Sequence, residues 1–240
     1  MSAHAAAEEF SADAHAIAEE MATPFDVGMA GHWSGMVALA AGRTADARAR
    51  LEPVIQLCEE HDLDFLVPFG CRHLGAALTL SGESRRAQEI LRRGVETARH
   101  HDLELAVIWN TAELANADSH AADLDAALAH ANKARLAAVA AGSVWLESVS
   151  PRYLARATAL SGDARSAEAL KLFQRALVLA SQCEARPDIA HCRRELGTFF
   201  AALGRHEKAR EELGAALNGY RELGTKPWEM ETERALAKLD

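Results

Sequence analysis

Residues 196–217, LGTFFAALGRHEKAREELGAAL, decide the fold. Leucines and phenylalanines at helical spacing are interrupted there by Gly197, Gly204, Ala209 and Ala216. Gly204 stands between two periodic runs and reads as a turn. Small side chains let helix backbones approach closely, so the stretch predicts an antiparallel helix hairpin in which Gly197 and Ala209 face each other's backbones.

The same hairpin recurs along the chain. Turns fall at AAGRTADA (40–47), LSGESRRA (80–87), LSGDARSA (160–167) and ALGRHEKA (202–209), with a glycine-free counterpart, SHAADLDA, at 119–126. A second helix then opens on Ala47, Ala87, Ala127, Ala169 and Ala209, spaced 40, 40, 42 and 40, the longer step marking a two-residue insertion. Leu51, Leu91, Ala131, Phe173 and Leu213 follow four residues on, and Val54, Gly94, Ala134, Ala176 and Ala216 seven on, which is one buried helical stripe. The helix before each turn carries a small residue at Gly35, Gly75, Ala115, Ala155 and Gly197. Fixed-period self-similarity of this kind signals an array rather than a globule.

The expected architecture is all-α: a right-handed superhelical array of antiparallel hairpins. Its parts are an unpaired N-terminal helix over 1–22, five hairpins over 24–226 and a capping helix over 227–240. On the first helix Ala7, Ala14 and Ala18 form the expected stripe; on the last, Trp228 and Leu236 point inward. Opening on half a repeat favours a terminal piece of a longer protein over a free-standing one. Pro53 and Pro151 fall inside helices, where a kink or a late start is expected.

Composition narrows the function classes. A formal charge of −9 is the opposite of what phosphate-backbone binding demands, so no direct nucleic-acid contact is expected. The N-terminus lacks a basic region followed by an apolar run, and the uncharged run VGMAGHWSGMVALAAG (27–42) is short and glycine-rich for a bilayer span. A cytoplasmic protein without membrane attachment is expected. Cys58, Cys71, Cys183 and Cys192 show no CxxC spacing and read as reduced thiols.

Small residue, turn glycine, then A-x-x-x-[LF]-x-x-A: over about residues 3–226 this pattern resembles the tetratricopeptide repeat in a forty-residue form. Segment by segment, IAEEMATPFDVGMAGHW (17–33) and PDIAHCRRELGTFFAALGRHEKAREELGAALNGYRELGTKPWEMETERAL (187–236) are similar to the C-terminal helical-repeat region of bacterial signalling ATPases and class III nucleotide cyclases. That region is related to the maltotriose-responsive activators. The resemblance implies a binding or effector-sensing role. No G-x-x-x-x-G-K-[ST] loop occurs, so P-loop nucleotide binding is not expected of this chain.

No catalytic, metal or cofactor site is expected. His100, His101 and Asp102 are adjacent on a helix end and read as capping, as do His61 and Asp62; Cys183, His191 and Cys192 read as packing near a repeat junction. No Ser-His-Asp or Cys-His set can be assembled, and the chain is not expected to be an enzyme.

In tetratricopeptide proteins one column of the first helices faces the concave groove. Here that column holds His32, Arg72, Ala112, Arg152 and Arg194. One turn to either side come Asn116, Arg156 and Trp109. Arg72, Trp109, Asn116, Arg152, Arg156 and Arg194 are therefore the candidate groove, since guanidinium groups pair with carboxylates and phosphates and an aromatic ring adds stacking. The competing reading pairs these arginines with Glu113, Glu147 and Glu195 and leaves a solvated scaffold face. The pattern of chaperone-tail carboxylate clamps is not reproduced, because Ala112 stands where a cation would precede Asn116. Trp33, Tyr153 and Trp145 are expected to pack between repeats. The expected function is a non-catalytic scaffold for a protein or peptide segment, an acidic one in particular, or a regulatory module of bacterial signalling. The alternative is an arm of a larger ATPase, cyclase or transcription regulator that senses a small anionic effector. An apolar face left open on the first helix also allows a homodimer.

Overall fold

The structure, a computed structural model, describes residues 3–239. A lone helix α1 (Ala3–Met21) precedes the hairpins α2 (Pro24–Ala40) with α3 (Thr44–Glu60), α4 (Val67–Leu80) with α5 (Ser84–His100) and α6 (Glu104–His120) with α7 (Leu124–Ala140). Next come α8 (Val144–Leu160) with α9 (Ser166–Gln182), α10 (Arg186–Ala202) with α11 (His206–Leu223), and a closing α12 (Lys226–Ala237). There is no β-strand among the described residues.

Every well-packed pair of α-helices lies within two positions in chain order. The first helices α4, α6 and α8 also pack on one another and form an inner layer, while each second helix leans on the first helices before and after it. The apolar core is accordingly a series of local clusters. One runs from Ala38 through Leu51, Leu74 and Leu91 to Leu114, and another joins Phe173, Leu196 and Phe199. This is the all-α solenoid, stabilised by interfaces between neighbours.

Close approach within each hairpin has one recurring cause. A methyl group placed on Gly35, Gly75 or Gly197 would meet the Cγ of Leu51, Leu91 or Leu213 at 2.4, 2.4 and 2.7 Å. Each leucine knob thus enters the gap over a glycine sixteen residues earlier. The partner of Gly197 is therefore Leu213, one turn beyond Ala209, because helical side chains lean toward the N-terminus and cover the turn before their own Cα. In the third hairpin both members of the pair are alanines, Ala115 and Ala131, and both are fully buried.

The backbone shows a shorter period than the sequence does. Left-handed residues occur at 22, 42, 62, 82, 102, 122, 142, 162, 184, 204 and 224, so a helix ends about every twenty residues. Six of these are glycines; Ala22, Asp62, Asp102, Ala122 and Glu184 take the same conformation without one. Most ends are closed by the bond from the N–H three residues past the helix to a carbonyl in the last turn, as from Leu63 to Cys58 (2.8 Å), Leu103 to Ala98 (2.8 Å) and Asp123 to Asp118 (3.0 Å).

Three local expectations are corrected. α3 and α8 run unbroken through Pro53 and Pro151, with no late start. On α1 it is Ser11 and Ala18 that are buried, whereas Ala14 is exposed. On α12 Trp228 is buried and Leu236 only half-buried.

Candidate functional site

The inner layer divides into two clusters of different chemistry. Toward the N-terminal end, Asn110 on α6 donates to the Pro68 carbonyl of α4 at 3.0 Å, and Gly94 on α5 leaves room for its side chain. That tie holds α6 against α4, and the neighbouring Trp109 lies beside Arg72. The Arg72 guanidinium is 5.1 Å from the Trp109 ring and 5.4 Å from the Trp145 ring, which meet edge to face at 5.7 Å and 84°. Phe69 and His32 extend the aromatic wall: Phe69 lies 6.0 Å from Trp109 and 6.1 Å from His32.

No carboxylate pairs with Arg72 among the described residues. Its polar neighbour is His73, whose Nδ1–H donates to the Phe69 carbonyl (3.1 Å), leaving Nε2 to accept from Arg72 at 3.3 Å. That assignment requires a neutral imidazole. Burial, then Arg72 and His32, holds His73 well below the ordinary histidine range; burial and Arg72 bring His32 down to about 4. The His32 Nδ1 and the Trp109 indole N–H are buried without a hydrogen-bond partner.

The second cluster is built on Glu195 of α10. Its buried carboxylate accepts from Arg152 at 2.6 Å and from Arg156 through both oxygens. Arg156 also reaches Asn116 and His120, and so ties α8 to α6 and α10 at once. Burial pushes the Glu195 carboxyl up, but Arg156, Arg152 and Arg194 outweigh it and hold it at about 2. Arg194 lies over the Trp228 ring at 4.8 Å and within 2.7 Å of Glu231, an ion pair that is not aligned as a hydrogen bond. Beside this network the Tyr153 hydroxyl donates to the Glu113 carboxylate, 2.9 Å from either oxygen.

Of the six residues singled out from the sequence, Arg72 and Trp109 thus come together in one cluster, and Asn116, Arg152, Arg156 and Arg194 in another. In the second cluster each arginine is engaged by a carboxylate: Glu195 holds two and Glu231 the third. Glu147 is 3.9 Å from Arg175 instead. Trp145 is not merely a packing residue, since it completes the corner around Arg72. It stands one turn before the position equivalent to Trp109, which hid it from a reading by columns.

The buried Cys71 and Cys192 thiols are pushed up to about 12, mainly by burial, and are unreactive at neutral pH. His100 and His101 lie against each other at 5.1 Å on the rim of a cavity of about 330 Å3. Among the described residues no three His, Cys, Asp or Glu side chains gather as metal ligands would. No helix among them is long and apolar enough to cross a membrane.

No protein-family model matches the chain, and no curated protein matches it in sequence. Its fold is similar to that of a Rap protein solved in complex with the competence and sporulation factor, with a TM-score of 0.71 and 12% identity. The alignment covers 85% of this chain and 58% of that one. The apo form of RapI matches at a TM-score of 0.68 and 13% identity, covering 84% of this chain and 70% of that chain. A STAND signal-transduction ATPase with a tetratricopeptide repeat sensor, from Pyrococcus horikoshii, matches at 0.57 and 14%, covering 90% and 36%. The chain therefore has a tetratricopeptide-like α-solenoid fold and spans little more than half of the Rap protein and about a third of the STAND protein.

Proposed function

We propose that the chain is a non-catalytic binding module of a signalling system, whose inner face recognises an acidic group on a peptide segment. The observation that carries this reading is Arg72. It is the cation of the candidate set that no carboxylate neutralises, and two tryptophans and a neutral histidine hold its guanidinium in place. A guanidinium so oriented offers its N–H fork to a planar carboxylate with little ordering left to do. Arg152, Arg156 and Arg194 enter this reading as the frame that sets the curvature of the face, since their charges are already engaged. The structural neighbours support it: a Rap protein was solved in complex with the competence and sporulation factor, and the STAND protein carries a tetratricopeptide repeat sensor.

Titration with a pool of acidic nine-residue peptides, followed by tryptophan fluorescence, tests the proposal, because Trp109 and Trp145 stand at the site. Arg72→Glu should abolish the response and Arg92→Glu, on the exposed side of α5, should keep it. Equal responses from both variants would end the reading. Recognition of a small anionic effector by the same corner is the second reading, and a thermal shift with single organic acids, absent with peptides, would favour it. The homodimer rests on Phe10, Ile17 and Met21, which are 72, 57 and 59% exposed on α1, and light scattering reads it directly.

A further inference from the structure

Away from the inner face, α1, α2 and α3 enclose a cleft of about 1060 Å3, at the upper end of the size of ordinary small-molecule sites. α1 packs on α2, and toward the cleft it presents Ala12 and Ala16, whose small side chains leave the space unfilled. Val27, Val54 and Leu57 supply the apolar lining opposite. Gly31 lets Val54 sit deep in the wall, for a methyl group there would meet its Cγ2 at 2.4 Å.

Acceptors predominate among the polar atoms that remain unsatisfied in this cleft. Ser11 is 9% exposed, and its hydroxyl has no partner. His15 points Nε2 toward Glu19 at 3.5 Å, and its Nδ1 is buried without a partner. In the tautomer whose Nε2–H is turned toward Glu19, Nδ1 is an acceptor. Pro53 has no N–H to give the Ala49 carbonyl, and both residues line the cleft, so a backbone acceptor is released there too. Two acceptors and a hydroxyl call for a ligand that donates.

The charged groups around the rim are held by the protein's own atoms: Glu8 pairs with Arg43, and Arg50, which has no carboxylate partner among the described residues, donates to the Ser34 hydroxyl at 2.7 Å and to its carbonyl at 3.2 Å. A carboxylate head would have to draw Arg50 away from Ser34 and would leave both acceptors unpaired. The geometry points to a binding site for a neutral amphipathic molecule: an alkyl body lying along Val27, Val54 and Leu57, with a hydroxyl or primary amide head donating to His15 and Ala49.

Titration calorimetry of the full chain with octanamide, N,N-dimethyloctanamide and sodium octanoate tests this. Octanamide should bind, and the dimethyl compound, which has the same body and no N–H, should bind about tenfold more weakly because the buried acceptors stay unpaired. Octanoate should be weaker than the primary amide as well. Ala16→Trp fills the cleft from the exposed side of α1 and should abolish octanamide binding with an unchanged helical circular dichroism signal. If octanamide fails to bind at millimolar concentration, if the three compounds bind alike, or if Ala16→Trp leaves binding intact, the site is wrongly assigned. A dimer in light scattering that Ala16→Trp dissociates would place a second copy of the chain in the cleft instead, and would likewise overturn the proposal.

Discussion

Glu195 shows what one side chain does in this array. Its carboxylate is buried, and it is kept charged because guanidinium groups from two successive first helices surround it. Its folded value of about 2 lies below the ordinary 4.5, so as pH falls the unfolded chain takes up the proton first. The stabilisation is complete above about pH 4.5 and is lost between there and pH 2, a swing of roughly 3 kcal/mol. Glu195→Gln should therefore flatten the urea midpoint against pH in that window. At pH 7 it should cost a comparable amount, because Arg152 is left buried without its counter-charge. A variant whose acid sensitivity matches the wild type would show that Glu195 is not the group responsible.

At the scale of the element, two glycines on helices have opposite roles. Gly75 receives the Leu91 knob, so Gly75→Ala should destabilise by about 1–3 kcal/mol through overpacking. Gly214 on α11 has nothing within 4 Å of a methyl group, so Gly214→Ala should stabilise by about 0.5–1 kcal/mol through the entropy of the unfolded chain. The helix ends allow the converse test. Ala122 holds a φ of 61° where six of the other ends use glycine, so Ala122→Gly should raise stability by about 0.5–1 kcal/mol. Chemical denaturation of the three variants checks all of these signs, and a stabilising Gly75→Ala would contradict the knob-and-gap packing.

For the molecule as a whole, stability is a chain of neighbour interfaces, and the two ends are not equivalent. α1 has α2 as its main packing partner and leaves Phe10, Ile17 and Met21 in solvent, whereas α6 and α8 pack on helices to both sides. Hydrogen exchange should accordingly release α1 amides first and those of α6 and α8 last. Uniform protection from α1 to α12 would mean a single cooperative unit and would contradict the array.

The forty-residue period was legible because alanine and leucine stripes are local: residues four and seven apart share a helix face whatever the helix packs against. The helix ends at Ala22, Asp62, Asp102, Ala122 and Glu184 were harder to read, since the left-handed turn there is imposed by the closing hydrogen bonds rather than by a glycine. The first-helix column that carries Arg72, Arg152 and Arg194 could be written from the sequence, but not the state of each charge. Pairing falls off within a few ångströms, and whether Glu195 reaches Arg152 and Arg156, 43 and 39 positions away, depends on how successive hairpins are rotated. The sequence by itself determined the helices, their repeat and the residues that share the first-helix column. Only the tertiary structure decided that Arg72 stands between two tryptophans without a carboxylate while Arg152, Arg156 and Arg194 each have one, because that outcome rests on distances between hairpins that no local pattern encodes.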